Sequence, residues 1–485
     1  MKLHNAMTRR KEEFTPREPG RVSMYVCGIT AYDLCHIGHA RSAVVFDTLY
    51  RLLRHKGLDV TYIRNFTDID DKIINRANET GSEPAELAER FIGEFYTDMD
   101  ALNVLRPDEE PRCTAHIQEM IQLTEALVDK GHAYETLGGD VYFRVRSFEG
   151  YGKLSGRRIE DLRSGSRIEP GEEKEDPLDF ALWKAAKPGE PWWESPWGKG
   201  RPGWHLECSA MSAKYVELPL DIHGGGQDLA FPHHENEIAQ SEAATGKPLA
   251  RYWVHNGFVR IDDEKMSKSL GNFFTIRDIL EQFLPETLRY LLLTMHYRSP
   301  LEFSFDTLKE AEKAQKRVYQ ALAQLDELLG RAKWSKAPAP EDMAAELDGL
   351  ERGFIEAMDD DLNTAQALGR LFSAVRLAGR IAEDKALKKA EGARELMQRI
   401  RDDLRAWGGL LGVFEAEPGA FLEALKAKRA EREGIDPEAV AALMDQRQAA
   451  RKAKDFAEAD RIRNELDAMG VEVMDTPQGP VWDVR

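Results

Sequence analysis

The chain has 485 residues, 42% of them hydrophobic and 31% charged, and 67 Lys and Arg against 85 Asp and Glu give it a formal charge of −18. That length allows several domains with ample core, and mixed charges with recurring Trp, Phe and Leu exclude wholesale disorder. Four cysteines (Cys27, Cys35, Cys113 and Cys208) are too few for a disulfide scaffold and form no C-x-x-C pair. A reducing compartment is therefore expected. With no apolar leader and no apolar run long enough to span a bilayer, a cytoplasmic location and no membrane partner are expected. The acidic total argues against general coating of nucleic acid but leaves room for a local basic face.

Taken in chain order, residues 22–29 read as a buried strand, 38–55 as an amphipathic helix and 60–65 as a second strand. That is a βαβ unit, and it points to an α/β fold on a parallel sheet with ligands at the strand carboxyl ends. Helical patterns follow over 84–104 and 114–130, then a short strand over 138–145. Residues 150–203, with four Trp, Gly, Pro and the charge run 172–176, look like a module inserted between two halves of one domain. Strands resume with an apolar one ending at Asp221-Ile222 and another at Tyr252 to Asn256. From Phe305 to Leu411 nearly everything reads helical, with a break over 336–341, and predicts a helix bundle. Asp436-Pro437 is an N-cap and N1 pair opening two helical stretches up to Gly470, and 471–474 and 481–484 flank a turn signal as a closing hairpin.

Three constellations carry chemistry. Cys35-His36-Ile37-Gly38-His39-Ala40-Arg41 lies between the first strand and its helix, where backbone N–H groups bind anions, imidazoles add donors and Gly38 permits close approach of a phosphate or base. Lys265-Met-Ser267-Lys268-Ser269, followed by Gly271, sets two ammonium groups three residues apart, as a loop closing over a polyphosphate would need. His233 and Glu237 stand at i, i+4 on one helix face, and two thiolates would complete a tetrahedral zinc site, with Cys208 and Cys27 available and Cys35 and Cys113 spare. Taken singly, each has a bland reading: a surface turn, a solvated charged loop, small buried side chains beside a charged helix end.

Taken together, these segments closely resemble the bacterial cysteinyl-tRNA synthetases, a class I aminoacyl-tRNA synthetase family. Cys27-Gly-Ile-Thr, His36 to His39, Asn65 to Lys72, Pro202 to Cys208, Asp221 to Gly226, the His233 segment and the KMSKS element match in order, and the likeness continues to Ala449 to Phe456 and Thr476 to Trp482. The resemblance implies a Rossmann-like catalytic domain over 1–304 with a connective insertion over 110–202, a helical bundle over 305–414 and a small α+β anticodon-binding domain over 415–485. It implies one Zn2+ per chain on Cys27, Cys208, His233 and Glu237. Catalytic roles are implied for His36, His39, Lys265 and Lys268, with ATP contacts at His36, Gly38, His39, Asp228, Lys265, Ser267 and Lys268. The implied reaction joins L-cysteine to ATP, with Mg2+, as cysteinyl-adenylate and passes cysteine to the terminal ribose of tRNA(Cys); a monomer is expected.

An ordinary pocket separates near-isosteres only about 100-fold. Zinc prefers sulfur to oxygen, so a metal–sulfur bond would take the place of editing, and 110–202 contains no large extra domain assigned to hydrolysis. A cysteine ligase acting on a small amine would share the catalytic part but lack the tail, which here carries Arg447, Arg451, Lys452 and Lys454. An inactive zinc-stabilised RNA-binding protein would not need His36, His39, Lys265 and Lys268 intact.

Overall fold

The computed structural model describes residues 1–162, 173–261, 264–265, 273–330, 333–476 and 479–485. Four strands form the parallel sheet, in the order Ala250–Asn256, Leu220–Gly226, Arg21–Thr30, Asp59–Thr67. The sheet's first strand in chain order, Arg21–Thr30, is thus central, with its second on one side and its third on the other. Its carboxyl end is a topological switch point, where such sheets bind ligands. The crossover is the helix Ile37–His55, whose Val44, Val45, Phe46, Leu49, Leu52 and Leu53 are buried. This is the α/β arrangement that the first 65 residues predict.

Along the central pair the register runs from Arg21↔Asp59 to Val26↔Arg64 and resumes at Ile29↔Phe66. Cys27 and Gly28 therefore face the single residue Asn65, a β-bulge that re-aims the strand end at the switch point. A second, antiparallel sheet takes Ala133–Glu135, Val141–Phe143, Phe180–Ala185 and Gly200–Pro202 in that order. The inserted module is thus built onto strands that begin well before residue 150. Its Phe143, Leu182 and Trp183 join Ile63, Leu206 and Trp253 in one buried core.

The chain divides into two compact units. One comprises Met1–Thr275, Leu292–Phe303 and Phe354–Ala367; the other comprises Ile276–Leu291, Ser304–Gly353 and Leu368–Arg485. The long helices are Phe305–Leu329, Glu341–Asp359, Thr364–Glu383 and Glu391–Leu411. Besides the expected break before Glu341 there is one at Asp361 and Leu362, whose φ angles of 65° and 52° cannot continue a right-handed helix. Toward the end, Asp436 caps Pro437–Lys452 through Glu438 N at 2.9 Å, and Val471–Thr476 pairs with Gly479–Val484. Val440, Met444, Ile462, Leu466, Val471 and Val484 form a separate small core there. Sequence reading does not anticipate the helix Asp71–Thr80 or the N-terminal hairpin of Lys2–Asn5 with Arg10–Glu13. No helix among the described residues is long and apolar enough to cross a membrane.

Candidate active site

A cavity of about 340 Å³ opens at the carboxyl ends of the parallel strands. Cys27 and Trp204 line one part of it; His36, Gly38, His39 and Ser42 line another, and Asp228 and the segment Asn256–Val259 complete the wall.

At the Cys27 side four expected residues converge. Cys27 comes from the bulge, Cys208 from the helix Leu206–Tyr215, and His233 and Glu237 from successive turns at the start of the helix His233–Thr245. Cys27 Sγ lies 3.6 Å from Cys208 Sγ and 3.4 Å from Glu237 Oε1; His233 Nε2 lies 3.6 Å from Cys208 Sγ and 3.0 Å from Glu237 Oε1. The four donor atoms lie within 4.8 Å of one another, and a second overlapping set, Cys27, His223, His234 and Glu237, meets the same criterion. The backbone of the bulge is pinned by Asn65, whose Oδ1 accepts from Gly28 N at 2.9 Å. A Cβ on residue 28 would fall 1.6 Å from Asn65 O, so the strand can turn there only with glycine.

The electrostatics of this cluster call for a cation. Burial pushes Glu237 up, but the imidazoles of His223 and His233 outweigh it and hold the carboxyl well below the usual range. Burial raises Cys208 too, yet hydrogen bonds from Cys27 and His233 bring it down to about 6, while burial and the neighbouring Cys208 push Cys27 up. Burial lowers His233, but Glu237 and Cys208 prevail and raise it to about 10. A thiolate and a carboxylate, both fully buried, thus face one protonated imidazole, which offsets only one of the two negative charges. Two sulfurs, one imidazole nitrogen and one carboxylate oxygen at these separations suit tetrahedral zinc. The second set offers one sulfur only and suits a soft ion less well.

Around the four lies a shell that sequence reasoning missed. His205 Nδ1 meets His233 Nδ1 at 2.9 Å, so a proton shared there leaves His233 Nε2 free to ligate. His234 Nδ1 is bonded to His255 Nε2 at 2.8 Å, and Tyr25 stacks on His223 at 5.3 Å. Burial holds His205, His234 and His255 below the ordinary histidine range. Trp204, 37% exposed, stacks on His233 at 4.3 Å. The only signal for these residues was position: His205 and His223 fall inside matched segments, with nothing to say which way they face.

At the other side, His36 is the N-cap of Ile37–His55. Its Nδ1 accepts from Gly38 N at 3.0 Å and His39 N at 3.3 Å; His39 Nδ1 accepts from His36 N at 3.2 Å, and the rings stack at 3.7 Å. Two histidines thus form a capping box. This corrects one expectation: the amides of Gly38 and His39 are spent on the cap, and Ile37 N donates to Phe274 O at 3.3 Å. Free backbone N–H groups do not make the anion site here. Because both Nδ1 atoms accept, each neutral ring carries its proton on Nε2.

Asp228 lies exposed in the turn Gln227–Ala230 at the end of its strand and lines the cavity. Backbone residues Glu264–Lys265 form a strand paired with Val259–Ile261. The Lys265 side chain, Ser267 and Lys268 lie outside the described residues. Cys35 is buried, and Cys113 is buried in the core with its Sγ 4.0 Å from Met120 Sδ.

Three family models match the chain: tRNA synthetases class I (C) catalytic domain over residues 13–313, DALR domain over 353–415, and cysteinyl-tRNA ligase anticodon binding domain over 436–482. Among curated proteins, the cysteine–tRNA ligases of Maridesulfovibrio salexigens and Lawsonia intracellularis are 68% and 56% identical, each alignment covering all of both chains. Among solved structures, Mycobacterium tuberculosis methionyl-tRNA synthetase bound by methionyl-adenylate matches with a TM-score of 0.62 at 17% identity, covering 86% of this chain and 95% of that one. A Campylobacter jejuni structure described as a putative arginyl-tRNA synthetase matches at 0.55 and 17%, covering 83% and 95%. These last two bear on the fold alone.

Proposed function

Because the chain belongs to the cysteine–tRNA ligase family, we propose that it selects its amino acid through one zinc ion held by Cys27, Cys208, His233 and Glu237. Bound there, zinc supplies a direct bond to the substrate sulfur, which the oxygen of serine matches poorly. The observation that carries this reading is the convergence beside the cavity of the half-buried Cys27 with the buried Cys208, His233 and Glu237, where one imidazolium offsets only one of two negative charges.

The chain's own residues do the rest. Trp204 covers His233 and narrows the amino-acid end. Cysteine held there presents its carboxylate toward the nucleotide end, where it attacks the α-phosphorus of ATP, which enters with Mg2+, and pyrophosphate leaves. No protein nucleophile is needed, so the work is positioning and charge stabilisation. We assign that work to the Nε2–H donors of His36 and His39 beside Gly38, and to Lys265, Ser267 and Lys268 on the departing phosphates. Asp228 serves the ribose. The cysteinyl group then passes to the terminal ribose of tRNA(Cys), whose anticodon we place on residues 415–485, beyond a catalytic domain of residues 1–304 and a bundle of residues 305–414. The protein acts as a monomer.

The test is amino-acid-dependent ATP/pyrophosphate exchange by the purified protein, with its zinc content measured. Exchange with cysteine, none with serine and one zinc per chain are expected. Comparable exchange with serine would overturn the sulfur-selection reading.

A further inference from the structure

The helix that begins at His36 carries a fully buried arginine that the mechanism above does not use. Arg41 is 0% exposed and stands two residues after His39. Its Nη1 donates to Phe258 O at 2.6 Å; its Nη2 donates to Ser299 O and, at longer reach, to Tyr297 O at 3.3 Å and His296 O at 3.4 Å. Among the described residues its partners are all backbone carbonyls. Burial lowers its pKa to about 10, so it remains charged at neutral pH. A buried cation is costly to keep, and packing alone would be served as well by an apolar side chain.

What distinguishes this arginine is what it joins. Its own helix supplies His36, Gly38, His39, Ser42 and Ala43 to one wall of the cavity, and Phe258 belongs to the segment Asn256–Val259 that forms another wall. That second segment leans on residues 296–301: Gly257 N donates to Tyr297 O at 2.8 Å and Leu301 N donates to Phe258 O at 2.9 Å. Gly257 is seated so closely that a Cβ there would come within 2.7 Å of Arg298 O and Ser299 O. One guanidinium therefore holds the Phe258 carbonyl and the loop behind it in a fixed place relative to the two histidines.

We propose that Arg41 is a positioning residue for ATP, setting the distance between the His36–Ala43 wall and the Asn256–Val259 wall by its bonds to Phe258, Tyr297 and Ser299. The proposal rests on the reading that His36 and His39 serve ATP. Lysine keeps the charge but offers a point donor where the planar fork bridges separate carbonyls, so Arg41→Lys loosens the clamp while leaving the cysteine end untouched. Small displacements of a binding wall carry large kinetic consequences.

The test uses the zinc-containing full chain in cysteine-dependent exchange, with KM for ATP and for cysteine and kcat measured separately. Arg41→Lys is expected to raise the ATP KM about tenfold or more, with cysteine KM and zinc content within about twofold of the parent. Gly257→Ala pushes on the same wall from behind and is expected to do the same; combined, the two rise by less than the product of the single effects, because they act on one displacement. If Arg41→Lys does not fold, Gly257→Ala decides alone. An ATP KM unchanged in the folded variants, or ATP and cysteine KM raised alike, would overturn the proposal. His39→Ala separates it from the reading beneath: lost turnover there with an unchanged ATP KM in Arg41→Lys breaks only the clamp. A raised ATP KM in Arg41→Lys with full turnover in His39→Ala supports the clamp and breaks the assignment of the histidines.

Discussion

Two regions of the molecule draw a glutamate out of water, wholly at Glu237 and partly at Glu286, and treat it in opposite ways. In the first unit Glu237 faces His223 Nε2 and His233 Nε2, each at 3.0 Å, and despite burial these keep it well below the usual carboxylate range. In the second unit Glu286 accepts from Gln315 Nε2 and Tyr319 OH, each at 2.8 Å, and burial pushes it up to about 7, because neutral donors only partly offset the loss of water. Glu237 is the more deeply buried of the two yet the one kept ionised, so the partners decide the charge. A carboxyl among neutral donors can hold a proton and serve packing. One kept ionised among imidazoles and thiols belongs to a group that could hold a metal ion, and such a group marks a candidate site.

The contrast breaks most severely at the first region's ligands. Cys208→Ala removes one of the two sulfur ligands, so loss of bound zinc and a fall of roughly a thousandfold in cysteine-dependent kcat/KM, about 4 kcal/mol of transition-state stabilisation, are expected from metal analysis and exchange kinetics. Next is the nucleotide end, whose histidines are satisfied without a metal. His39→Ala removes one donor and should lower kcat about a hundredfold while zinc content stays at one per chain. A smaller effect is expected one shell out: His205→Ala frees His233 Nδ1 and should weaken zinc affinity at least about tenfold in a chelator titration.

The smallest effect lies in the second region and concerns stability alone. The folded Glu286 titrates near 7 against 4.5 for an ordinary glutamate, so its favourable contribution is complete below 4.5 and lost as pH rises through about 7. Glu286→Gln keeps the neutral shape and should match the parent near pH 5 but melt about 3 °C higher near pH 8, with exchange activity unchanged. Equal melting at both pH values would show that Glu286 carries no burial penalty and remove the contrast.

How much of this could be read from the sequence depends on the physical signal each residue leaves. The βαβ unit was legible because strand and helix periods differ. The i, i+4 pair of His233 and Glu237 was legible too, but which way it faces was not: ten of the thirteen residues in that helix are buried, so there is no polar stripe to orient it. His205, His223, His234 and His255 come from four separate elements, and only the fold shows that they meet. The bulge at Cys27 leaves no trace but a glycine. The capping box of His36 and His39 was hidden because helix starts are read from Ser, Thr, Asp and Asn, and an imidazole Nδ1 doing that work looks like an ordinary turn residue. Asp361 and Leu362 carry no Gly or Pro to announce the helix break they make.

The central claim is that Cys27, Cys208, His233 and Glu237 hold zinc so that the substrate sulfur can join them. X-ray absorption at the zinc edge, on the full protein with and without cysteine, tests it most directly. Two sulfur scatterers without cysteine and three with it are predicted, and serine should leave the count at two. A sulfur count of two in the presence of saturating cysteine would contradict the account.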